Sequence, residues 1–147
     1  MASVDPYKAG MMTRSPYYKK RNGEGKLCAV LDLTIDNREM QLMLPPSRAF
    51  LAGEIHELIV TDERGAGPGA VVNRAAYLGF FEVTRACVAV VGDEVTIGET
   101  VVGRIAGFDE THMPNHQNVV IKAEKMATGA ALGFEPEDKV LIIMKIR

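Results

Sequence analysis

From Leu27 onward, apolar side chains recur at every second position in short runs broken by glycine, proline and aspartate. Leu27, Ala29, Leu31, Leu33 and Ile35 alternate with Cys28, Val30, Asp32 and Thr34. A period of two sends successive side chains to opposite faces of a strand. No long stretch shows the three-and-four spacing of an amphipathic helix. The pattern predicts an all-β fold, a small barrel of about six to eight short strands with at most one short helix and an N-terminal arm.

Asp36-Asn37 is a turn pair, and Met40, Leu42 and Leu44 alternate again. The two runs therefore predict a hairpin, ended by Pro45-Pro46 because proline cannot donate to a ladder. Ser47 is expected to cap one helical turn through Leu51, closed by Gly53. Ile55 to Thr61 is the next strand, with His56, Leu58 and Val60 on one face and Glu54 and Glu57 outside or at the edge. Val71 to Thr84 has mixed periodicity but strand composition. Runs at Cys87–Val91, 94–97, 100–107, 118–123 and 139–146 complete the set. Asp93 and Asp138 occupy turns, where a carboxylate bonds nearby backbone.

Length and charge set the broad class. The chain has 147 residues, enough for one domain with an ordinary core. Residues 1–26 carry six basic and two acidic side chains, whereas residues 27–147 carry 11 basic and 17 acidic ones. A basic arm, residues 1–26, is thus set against an acidic body, residues 27–147. The arm is expected to lie on that body in its own or a neighbouring subunit, making a homo-oligomer. An acidic body argues against nucleic acid as a partner. No apolar run reaches the ~18 residues of a spanning helix, and residues 1–30 lack the apolar middle of a signal peptide. The expectation is a cytoplasmic protein with Cys28 and Cys87 as reduced core residues.

One stretch concentrates chemistry. Gly107 to Asn118 holds two of the three histidines with Asp109, Glu110, Thr111, Asn115, Gln117 and Asn118. Four readings follow. His112, His116 and His56 could ligate a divalent metal such as zinc, with Asp109 able to replace or orient a ligand; Pro114 rules out a continuous helix between the first two. His112, oriented by Asp109 or Glu110, could act as a catalytic acid–base. Arg104, Asn115, Asn118 and Arg74 could bind a small molecule, with Tyr77, Phe80, Phe81 and Phe108 as an apolar wall. The fourth reading makes the loop architectural, its side chains bonded to their own backbone, in a non-catalytic oligomeric or accessory protein. For Arg74 an ion pair with Glu82 or Asp109 is expected. Gly65 to Gly69 lacks the Lys-Ser/Thr ending of a phosphate-binding loop and reads as a connection.

The strings Tyr77 to Val83, Val91 to Gly98 and Gly103 to His116 together resemble a family of small uncharacterised prokaryotic proteins. The resemblance covers residues 27–147. It implies a compact single domain and carries no activity with it.

Overall fold

The computed structural model describes residues 20–145. Most of the expected arm therefore lies outside the described residues. Eleven strands are present there and no helix. Seven of them close into a barrel-like ring: β1 (Gly23–Ile35), β11 (Lys139–Ile143), β8 (Glu94–Ile97), β9 (Thr100–Asp109), β10 (Asn118–Lys122), β4 (Ile55–Thr61) and β6 (Ala75–Arg85), which returns to β1. Two small sheets flank the ring, β2 (Met40–Gln41) with β5 (Val71–Val72), and β3 (Ser47–Phe50) with β7 (Cys87–Val90).

The expected hairpin does not form. β1 is taken on one side by β11 and on the other by β6, and Met40-Gln41 pairs instead with Val71-Val72. The Asp36-Asn37 turn redirects the chain without folding it back on β1. The strand also begins at Gly23, so the ring takes in part of the segment read as arm. Glu24 marks the closure, with one oxygen 3.1 Å from Lys139 of β11 and the other 3.3 Å from Arg85 of β6. At the arm's end, Lys20 sits 2.7 Å from the buried Asp93. Ser47 opens a strand rather than a helical turn, because residues 47–50 have β7 to pair with. Cys28 is exposed, not buried, since it falls on the outer face of β1; Cys87 is half-buried. Asp93 and Asp138 do hold their turns, accepting from the backbone of Val90 and Glu135, both at 2.9 Å.

Two apolar clusters share β4. His56, Leu58 and Val60 face inward, and the last two join Leu27, Phe50, Phe81, Phe108 and Ile121 inside the ring. Ile59 faces outward into a second cluster with Met40, Leu42, Tyr77, Ala106 and Val120. The segments around β2 and β5 cover that outer face. A strand covered on both faces has no solvent side. Glu57 shares the outward parity of Ile59, so it is buried rather than at an edge, with 6% of its surface exposed.

β6 breaks its own alternation at Gly79. Leu78 and Phe81, three apart, both join the inner cluster, while Tyr77 joins the outer one. The registers with β1 and β4 shift beside Gly79, whose φ is +154°. Such a bulge re-aims side chains. Here it sends both Tyr77 and Phe80 outward.

Candidate functional site

On the outer face, Phe80 of β6, Glu57 of β4, Asn118 of β10 and Asp109 of β9 stand in one cross-strand row, each the direct partner of the next. The 110–116 loop folds back over this row through turns at residues 111–115. That brings His116 onto it. The His116 ring meets the Phe80 ring edge-on at 5.1 Å between centroids, and the His112 ring is also 5.1 Å from it. His116 Nε2 is 3.6 Å from Glu57 Oε1.

The base of the row is internally bonded. Asp109 accepts from the Thr111 hydroxyl at 2.9 Å and from the Asn118 amide at 2.8 Å. Gln117 donates from its side chain to the Asp109 carbonyl at 2.7 Å and accepts from Arg48 at 2.9 Å. The Gln117 backbone N–H donates to His56 Nδ1 at 3.0 Å, which leaves the ring proton on Nε2 to meet Glu54 at 3.1 Å. His56 is stacked on Phe50 and has both nitrogens committed. Burial holds its pKa below the ordinary value, against the pull of Glu54.

Above that base two buried atoms complete no hydrogen bond, His116 Nε2 and Asn118 Oδ1. Such atoms are uncommon and point to a strained or functional place. Asn115 donates to His116 Nδ1 at 2.9 Å, which places the ring proton on Nε2, the nitrogen facing Glu57. Burial, then the nearby His112 and His56, lowers the His116 pKa; the adjacent Asn118 amide opposes this. Burial pushes the Glu57 carboxyl up to about 7, with the Arg38 guanidinium pulling the other way. A carboxyl that titrates near neutrality beside an imidazole held neutral is suited to taking up or releasing a proton.

The pair opens onto a depression of about 550 Å³. Leu31, Leu33 and Phe80 give it an apolar wall, and Thr111 and His112 form the loop side. Arg38 and Tyr77 stand at the remaining edge, joined by a 2.8 Å bond from Arg38 Nε to the Tyr77 hydroxyl.

The sequence candidates are thus divided. His112, His116, Asn115 and Asn118 come together. Asp109 is buried in the base and Glu110 is exposed, and neither carboxylate bonds His112. Among the described residues no group of three or more His, Cys, Asp or Glu side chains is placed to hold a metal ion. Phe81 and Phe108 belong to the inner core rather than a ligand wall. Arg104 is exposed on β9, about 16 Å along the strand from Asp109. Arg74 is exposed too and pairs bidentately with Asp62 at 2.8 and 3.1 Å, not with Glu82 or Asp109, because the loop after β4 brings Asp62 across to it. Glu57 and Arg38 were not singled out from the sequence. The available signal was a lone carboxylate, beside His56, in the run 55–60 whose other residues are apolar.

The arrangement defines an all-β protein, its strands closed into a ring, with a largely buried carboxyl–imidazole pair on the outer face of that ring. The chain belongs to a family of unknown function, DUF6917, whose profile matches residues 17–143. No curated protein and no solved structure matches it. No helix among the described residues is long and apolar enough to cross a membrane.

Proposed function

We propose that the protein binds a small molecule in the depression beside the 110–116 loop and transfers a proton to or from it through Glu57 and His116. One observation carries the reading: His116 Nε2 is buried, completes no hydrogen bond, and faces a carboxyl that itself accepts none among the described residues. Polar groups left in that state cost stability, on the order of 1–3 kcal/mol each, and a bound molecule would complete them. Glu57 is the acid when protonated and the base when ionised, and the neutral His116 ring offers its Nε2 proton as a hydrogen-bond donor to the molecule held there. The metal-binding alternative has less support, because His56 is committed to Gln117 and Glu54.

The architectural reading is favoured by a different observation, the bonds that Asp109 accepts from the Thr111 hydroxyl and the Asn118 amide and that its carbonyl accepts from Gln117. That set explains the base of the loop and leaves His116 and Glu57 unexplained. We also carry a cytoplasmic location and self-association through the arm as proposals. The first is supported by two free thiols, the second by basic residues 1–26 against an acidic body.

The test is an NMR screen of a fragment library against the full chain, read at the His112, His116 and Tyr77 side chains. Hits that move these signals, and that lose affinity in His116→Phe, support the reading. Hits that map elsewhere, or that bind His116→Phe equally well, overturn it.

A further inference from the structure

Arg38 is held at the edge of the depression more firmly than a surface arginine needs. Its backbone N–H donates to the Asn73 carbonyl at 3.0 Å. The next residue, Glu39, adopts φ of +55° and donates its own N–H to the Asn73 side chain at 3.1 Å. A non-glycine residue in the left-handed region is uncommon and needs surrounding bonds to keep it there. The side chain is then fixed through Nε on the Tyr77 hydroxyl. The two terminal nitrogens donate to no partner among the described residues. A guanidinium so positioned presents a planar pair of donors, the fork that matches a carboxylate.

We propose that the depression takes a small organic monoanion, a carboxylate on a short apolar body, whose carboxylate is gripped by the terminal nitrogens of Arg38. This rests on the reading of the depression as the ligand site and adds the class of ligand. The apolar body lies along Leu31, Leu33 and Phe80, which directs its far end toward Glu57 and His116. Among the described residues Arg38 is the one permanently charged cation lining the depression. A dianion such as a phosphate monoester would leave one charge uncompensated against an apolar wall, and a cation would face Arg38 itself. A neutral molecule would leave the guanidinium fork unused.

Titration calorimetry and NMR of the full chain at pH 7.5, where a phosphate monoester is mostly the dianion, with hexanoate, hexanamide and hexyl phosphate test this. Hexanoate is expected to shift the Tyr77 and His116 signals and to bind roughly tenfold or more tighter than hexanamide, the margin of a charge-assisted bond. Arg38→Gln should bring hexanoate down to the level of hexanamide and leave hexanamide unchanged. Arg38→Lys should recover part of the difference, and an unaltered unfolding midpoint in that variant separates the loss of the fork from a loss of fold. Equal affinities for hexanoate and hexanamide, or an Arg38→Gln variant that binds hexanoate normally, overturn the proposal while the ligand site stands. Tighter binding of hexyl phosphate overturns the monoanion class. Silence of the Tyr77 and His116 signals with all three probes overturns this proposal and the site reading together.

Discussion

Glu57 and Asn118 are direct partners in the parallel pairing of β4 with β10. The pairing places a carboxyl and an amide side by side on a face that is covered by protein. Asn118 turns its amide nitrogen away, to Asp109, and leaves its oxygen without a bond. Glu57 is left beside His116, and its burial has a measurable consequence.

Burial pushes the Glu57 carboxyl up to about 7 in the folded chain, from its ordinary value of 4.5 when unfolded. Between those values the folded state holds a proton that the unfolded state has released, so stability falls as pH rises through this window. Glu57→Gln removes the effect. We expect the variant to be more stable than the parent at pH 8 by about 1–2 kcal/mol, allowing for solvent reaching the depression, and to show no such gain at pH 4. Urea unfolding at the two pH values checks this. A difference that does not change with pH would refute the assignment.

Asp109 ties both ends of the loop. Replacing it with alanine removes the acceptor for the Thr111 hydroxyl and for the Asn118 amide, and strands that amide in the interior. Asp109→Ala should cost about 2–4 kcal/mol in chemical denaturation. Hydrogen exchange should quicken first in residues 110–117. Exchange that stays unchanged there would show that the loop is held by something else.

Gly79 lets β6 change parity. A Cβ there would collide with the Ala29 carbonyl, and its φ of +154° is one that side chains rarely adopt. Gly79→Ala is expected to destabilise the fold by more than about 2 kcal/mol. It should also move the Tyr77 and Phe80 signals in NMR spectra, since their common facing depends on the bulge. A mild effect confined to residue 79 would contradict this account.

The two thiols should differ in reactivity. Cys28 is exposed on β1, whereas burial of Cys87 raises its pKa and lowers its thiolate fraction. In the native protein one thiol, Cys28, should react with a maleimide well before the other. Peptide mapping of partly labelled protein reads this directly, and preferential labelling of Cys87 would contradict it.

The strands were legible from side-chain alternation, because burial on one face of a pleated ribbon writes a period of two into the residues themselves. Runs at 55–61, 87–90, 94–97, 100–109, 118–122 and 139–143 all lie where alternation or apolar runs put them. The Asp93 and Asp138 turns were legible for the same reason, since a carboxylate bonding backbone three residues away is a local event. The polar loop was legible as a concentration of imidazoles and amides.

Pairing was decided elsewhere. The period of two says which residues share a face, but it does not name the strand alongside. So Leu27–Ile35 went to β6 instead of to its neighbour in sequence, while Gly23 to Lys26 paired on the other side with β11. Closure of the ring then put β4 between two covered faces, and that is what buried Glu57. The outward parity of Glu57 looked like exposure until the 110–116 loop was in place over it. Arg38 and His116 lie far apart in the chain, and only the return of the 110–116 loop over β4 and β6 sets them around one depression. Alternation is a property of neighbours along the chain, whereas a titrating pair needs two distant segments brought together, and only packing supplies that.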